Sequence, residues 1–192
     1  MPDILALTET WLESNSHENL TGYKSYHTVR EIGLSGGVSL FIKEEFVSNP
    51  ISSASFANES IEVITAELEH ENKTWVIIAI YRPIRGPAHQ FIDYLAEILN
   101  HERIVNKEIL IVGDFNINLL QDSSSRNILL EQLNSYHFLP VINKPTRFSP
   151  SGNERPSLLD HIWFNRITNY ECGIIINDTT DHFPTYIHIP TT

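Results

Sequence analysis

The run Ile109-Leu110-Ile111-Val112 is apolar throughout, stops at Gly113, and gives way to Asp114-Phe115-Asn116. A short, β-branched-rich apolar run of this kind reads as a central strand buried on both faces, which commits the chain to a layered sheet fold. Just beyond it, spacing i, i+2 sets Asp114 and Asn116 on one face and turns Phe115 toward the core. Ligands of α/β sheets collect at strand ends, although an Asx-rich turn would leave the same pattern.

The rest of the chain repeats the theme. Ile4 to Thr8 is a short apolar run ending in Thr8-Glu9-Thr10, and Gly36-Gly37 opens the strand-like Val38 to Ile42. Ile61 to Leu68 alternates as a half-buried strand does, and Lys73 to Tyr81 follows across a turn at His70-Glu71-Asn72, so the two predict a hairpin. Arg82-Pro83 ends it, because proline cannot extend the ladder. Helices are predicted from Pro87, where Phe91, Tyr94, Leu95, Ile98 and Leu99 share a face, and from Ser123 to His137, with Ile128, Leu129, Leu130 and Leu133 inward. Short strands follow around Leu158 to Phe164, Tyr170 to Ile176 and Thr185 to Ile189. The expectation is one α/β domain over residues 1–192.

Charge and cysteine content narrow the function. Thirteen Lys+Arg against 24 Asp+Glu give a net charge of -11, which argues against nucleic-acid binding through a bulk positive field. An enzyme with locally placed cations stays open. Cys172 is the only cysteine, so neither an internal disulfide nor a CxxC zinc site is available. The longest apolar run, Trp75 to Tyr81, is too short to span a membrane, and the first residues lack a basic signal region. A soluble, intracellular monomer without membrane contact is expected.

Two further clusters carry chemistry. Asp160, in Ser157-Leu158-Leu159-Asp160-His161-Ile162-Trp163, lies within an apolar strand and needs a partner there. His182, in Thr179-Thr180-Asp181-His182-Phe183-Pro184, could be that partner in a carboxylate–histidine dyad, or a surface histidine in a turn. With Glu9 and Tyr81, polar groups stand where apolar strands end at five places, which suggests one shared pocket. His161 reads as a packed core histidine, Trp75 and Trp163 as core aromatics. Gly33-Leu34-Ser35-Gly36-Gly37 matches the G-x-S-x-G elbow of serine hydrolases, but a strand pattern follows it where the elbow requires a helix.

The ordered set Ala6-Leu7-Thr8-Glu9-Thr10-Trp11-Leu12, Gly36-Gly37-Val38, Tyr81-Arg82-Pro83, Gly113-Asp114-Phe115-Asn116, Lys144-Pro145-Thr146-Arg147, Ser157 to Trp163 and Thr180-Asp181-His182-Phe183-Pro184 closely resembles the endonuclease/exonuclease/phosphatase superfamily. Its endonuclease domains from LINE-type, non-LTR retrotransposons are most alike. The resemblance implies a DNase-I-like four-layer α/β sandwich of two mixed sheets flanked by helices, and Mg²⁺-dependent (or Mn²⁺-dependent) nicking of DNA. Carried over, Glu9 and Asp181 are the metal residues. Asp114, Asn116, His182, Asp160 and Tyr81 are catalytic, and Thr146, Arg147 and Arg82 contact DNA, with Arg85, Lys144 and Arg155 adding positive charge. The partner implied is a reverse transcriptase domain in the parent element, and the place of action is the nucleus. Thr180 stands where serine is usual and is expected to keep the hydroxyl's role. The family's first strand and helix are expected upstream of Pro2, so the chain reads as a truncated fragment of weakened activity. The alternatives are a fragment that keeps only the fold, and a same-fold phosphoesterase acting on a non-nucleic phosphate ester.

Overall fold

Glu108–Asp114 is indeed the central strand in the computed structural model of the chain, which describes residues 1–12, 18–28, 36–149, 155–177 and 179–190. In chain order the elements are β1 (Ile4–Thr8), β2 (Tyr23–Thr28), β3 (Val38–Lys43), β4 (Val47–Pro50), β5 (Phe56–Ala57), β6 (Glu62–His70), β7 (Lys73–Tyr81), α1 (Ala88–Leu99), β8 (Glu108–Asp114), α2 (Ser124–Ser135), β9 (Leu139–Pro140), β10 (Asp160–Phe164), β11 (Glu171–Ile174) and β12 (Thr185–His188). Seven strands make the large sheet, in the order β4-β6-β7-β8-β10-β9 with β5 beside β6. Strands β1-β3-β2 form a second sheet, and β11-β12 a hairpin.

The predicted hairpin is β6–β7, turned at Glu71 and Asn72, both in left-handed backbone. Positive φ at two central residues gives the turn a twist that suits a two-residue hairpin loop. Strands β7 and β8 run parallel and are joined through α1, the usual way to return a chain to the same sheet edge.

Alternation along the large sheet divides its side chains between two cores. Val63, Ile78, Ile80, Ile111 and Trp163 face Phe91, Leu95 and Ile98 of α1 and Leu129 and Leu133 of α2. Ile64, Ala66, Ile77, Ala79 and Ile162 face Val38, Leu40 and Ile42 of β3. Each fully buried Val, Leu, Ile or Phe among them contributes about 1.5–3 kcal/mol. Two readings change as a result. Ile61 to Leu68 was expected to be half-buried, yet β6 is covered on both sides, by helices and by the small sheet. Helix α2 buries a narrower stripe than predicted: Ile128 is 46% exposed.

Serine at position 123 caps α2 by accepting the Arg126 N–H, and Pro87 precedes α1. Strand β2, mixed in polarity, was not predicted; it exists by pairing with β3 from Tyr23 to Thr28. Ser35 lies outside the described residues, but the chain after Gly37 enters β3 and not a helix, so the elbow's setting is absent. Among the described residues, no helix is long and apolar enough to cross a membrane.

Candidate active site

Strand register builds the site. Glu62 pairs with Tyr81, Tyr81 with Asp114, and Asp114 with Asp160, across β6, β7, β8 and β10. Residues in register project to the same face, so four polar side chains form a row at one end of the large sheet. Asp160 opens β10 and does not lie inside it, as its sequence context had suggested.

The predicted dyad is formed. His182 Nδ1 donates to both Asp160 oxygens, at 2.9 and 3.1 Å. Thr180 holds the histidine's backbone: its hydroxyl donates to the His182 carbonyl at 2.7 Å and accepts the His182 N–H at 3.1 Å. With Nδ1 engaged, Nε2 is the nitrogen left to face a substrate. The Asp160 hydrogen bond, partly opposed by burial, raises the His182 pKa above its ordinary value.

The two polar residues at the C-terminal end of β8 are locked together. The Asn116 N–H and amide donate to the Asp114 carboxylate at 2.9 and 3.1 Å, with Asn116 in the left-handed region that asparagine tolerates. Burial, and then the charge of Asp160, push the Asp114 carboxyl up to about 7. Phe115 is fully buried, as predicted, and stacks on His161. His161 is a core residue, donating from Nε2 to the Ile117 and Leu158 carbonyls and pushed down to about 4 by burial.

Two sequence assignments need correction. Arg82 does not face outward to DNA. Its guanidinium is buried and donates to the carbonyls of Phe115, Pro83, Gly86 and Asn116, so it clamps the loop that carries Asp114 and Asn116. Thr146 is equally hidden; its hydroxyl accepts the N–H groups of Leu159 and Asp160, both at 3.1 Å, and thereby sets the start of β10. Asp181, expected on a metal, pairs with Arg147 at 2.8 Å. Burial alone would raise Asp181, but the Arg147 hydrogen bond and the His182 charge outweigh it and hold the carboxyl low. Arg147 keeps about a third of its side chain exposed, and Arg85, Lys144 and Arg155 are exposed.

Glu9 follows β1 in left-handed backbone, and its Oε1 accepts the Tyr81 hydroxyl at 2.6 Å. Burial, then that hydrogen bond, push the phenol well above its usual range and keep it a donor. Tyr81 therefore orients Glu9, where a donor toward phosphate had been expected. The charge of Glu9 also reaches Asp114. Ligand atoms of Asp114, Asp160 and His182 lie within 4.8 Å of one another. Carboxylates this close repel, and a hard divalent cation relieves that repulsion through oxygen ligands, so the donor set suits a divalent cation.

Glu62 was missed. It is wholly buried and accepts the Gly37 N–H. In the sequence it is one polar residue of an alternating run, which reads as half-exposed and gives no sign of burial.

A sequence model of the Endonuclease/Exonuclease/phosphatase family matches residues 1–182, almost the entire chain and every residue of the row, the dyad and the clamp. The chain belongs to this family. No curated protein matches its sequence. Among solved structures, the endonuclease domain of TRAS1, a telomere-specific non-LTR retrotransposon, superposes with TM-score 0.79 at 10% identity, covering 97% of this chain and 85% of that one. An endonuclease/exonuclease/phosphatase family protein from Leptotrichia buccalis gives 0.75 at 14% identity, over 98% and 88%. The catalytic domain of APE2 from Xenopus laevis gives 0.67 at 17% identity, over 97% and 83%. At these identities the likeness is one of fold, and it agrees with the DNase-I-like sandwich of two sheets expected from the motifs.

Proposed function

We propose that this family member is a divalent-metal-dependent phosphodiesterase that nicks DNA, with Mg²⁺ the natural ion. The observation that carries the reading is the union of Asp114, Asp160 and His182, drawn from distant parts of the chain, beside the Tyr81–Glu9 pair. Glu9 would hold the ion beside the Asp114–Asp160 group. When bound, the ion supplies charge neutralisation at the phosphoryl and leaving oxygens.

Asp114, with a pKa near neutrality, is matched to taking a proton from a water at physiological pH. Asn116 fixes that carboxylate, and the Arg82 clamp fixes Asn116, so the base is pre-positioned. His182, whose protonated form Asp160 favours, offers Nε2–H to a phosphate oxygen. Arg147 stands at the rim as a contact for the DNA backbone.

The test is nicking of supercoiled plasmid with Mg²⁺, run beside release of phosphate from a phosphoinositide. Nicking that a chelator stops, and that Asp114→Asn lowers by about 10²–10³-fold, is the expected result. Burial of Arg82 and Thr146 removes two of the expected DNA contacts and favours a smaller phosphate ester as the second reading. Phosphoinositide turnover without nicking would decide for it.

A further inference from the structure

Glu9 has side-chain support from Tyr81, but its backbone is held in an unusual way. Glu9 and Trp11 both have left-handed angles, φ 53 and 54, which cost non-glycine residues energy and persist only where the surroundings over-determine them. The restraint comes from Gly36-Gly37. The Thr10 N–H donates to the Gly37 carbonyl at 3.3 Å, and the Trp11 N–H to the Gly36 carbonyl at 2.9 Å. The glycine pair is held in turn by Glu62, whose carboxylate accepts the Gly37 N–H. Both glycines have positive φ, and a Cβ at Gly36 would collide with the Glu62 carboxylate, while one at Gly37 would collide with the Thr10 hydroxyl. The contacts thus run from Glu62 through Gly36-Gly37 to the Glu9 loop without a gap.

We propose that Glu62 is a positioning residue for Glu9, acting through Gly36-Gly37. Glu62 and Tyr81 are register partners on β6 and β7. One rung of the large sheet therefore holds Glu9 twice, by its carboxylate through the Tyr81 hydroxyl and by its backbone through the glycine pair. An acid is buried here because the Gly37 N–H points into the core and must find an acceptor. The task given to Glu9 rests on the nuclease reading above; the support given by Glu62 does not.

The test compares Glu62→Leu, which fills the space without an acceptor, with Glu62→Gln, which keeps one. Thr65→Val, a buried hydroxyl on the same strand that bonds the Ala54 carbonyl, controls for general loosening of β6. In metal-free protein, Glu62→Leu is expected to speed amide exchange at Thr10 and Trp11 by roughly tenfold, with the β1–β3 amides unchanged. In nicking, it is expected to raise the half-saturating Mg²⁺ concentration by about 10–100-fold, with KM for DNA unchanged. Glu62→Gln should stay within about threefold of wild type in both. Unchanged exchange at Thr10 and Trp11 in Glu62→Leu, or the same rise in Thr65→Val, overturns the proposal. Should Glu62→Leu not fold, Glu62→Asp, which withdraws the carboxylate by one methylene, must show the exchange rise or the proposal fails. A wild-type chain that never nicks, with the exchange pattern as expected, overturns the nuclease reading and upholds the role of Glu62.

Discussion

His182 illustrates how one side chain is fixed from two directions: Asp160 takes its Nδ1–H, and Thr180 brackets its backbone. Asp160→Asn should remove the main cause of the raised His182 pKa. An NMR titration is expected to show the imidazole value falling, and plasmid nicking near neutral pH to drop by about 10²–10³-fold. A pKa equal to that of wild type would mean the dyad is not what tunes the ring. Arg82 makes a different demand. Lysine has no planar fork with which to reach several carbonyls, so Arg82→Lys should leave buried acceptors unmet. The expected cost is about 1–3 kcal/mol in urea unfolding, with nicking lost in parallel because the Asp114–Asn116 loop loosens. A weakened affinity for DNA with unchanged stability would instead restore Arg82 as a surface contact.

At the level of the strand, β8 works because Gly113 lets it lie against β7. Its φ of +140 is open to glycine, and a Cβ there would overlap the Ile80 carbonyl oxygen. Gly113→Ala is expected to destabilise the protein by more than about 3 kcal/mol, since backbone and not a flexible side chain blocks the space. Thermal unfolding measures this directly. A small effect would imply that β7 and β8 can separate without harm to the sheet. The same strand shows what local pattern can convey. The run Ile109 to Val112 announced a strand buried on both faces, whereas β6, with Glu62, Thr65 and Glu67 among its apolar residues, looked half-exposed. Burial of β6 depended on a second sheet whose docking leaves no mark in β6 itself.

Across the whole molecule, the acidic centre should make stability depend on pH and metal. Asp114 is raised from 3.8 to about 7, so the native state holds a proton that the unfolded chain releases. The stability it contributes is full below 3.8 and is lost as pH rises through about 7. His182 is also raised, so its contribution is full below 6.5 and is lost at higher pH. His161, lowered from 6.5 to about 4, has the opposite sign: its contribution is full above 6.5 and is lost as pH falls through about 4, so it offsets Asp114 in between. Metal-free protein is therefore expected to melt at nearly constant temperature from about pH 4 to 6.5 and at falling temperature from there to beyond pH 7. Asp114→Asn should leave His161 unopposed, so that the melting temperature rises from about pH 4 to 6.5. Mg²⁺ should restore stability at the upper end, because a ligand that binds only the native state stabilises by mass action. A melting temperature that rises from about pH 6.5 to beyond 7 in metal-free protein would contradict the pKa assignment.

Sequence alone determined the elements whose signal is local. The β6–β7 hairpin, α1 behind Pro87, α2 behind Ser123, and the Gly113-Asp114-Phe115-Asn116 strand end all followed from periodicity and from the chemistry of turns and caps. The Asp160–His182 dyad was one of two options in the sequence, since a carboxylate in an apolar strand needs a partner but His182 could equally have been a surface residue in a turn; the fold chose between them. What tertiary structure alone decided was which polar groups face solvent. Arg82 and Thr146 read as surface contacts for DNA because a residue type states what bonds a group can make and not which atoms will meet it. The buried carbonyls around Arg82 come from the loops at Pro83–Gly86 and Phe115–Asn116, brought together by the parallel pairing of β7 with β8. Glu62 was silent for the same reason: its partner is a backbone N–H some 25 residues away, and only the docking of the small sheet places that N–H in the core.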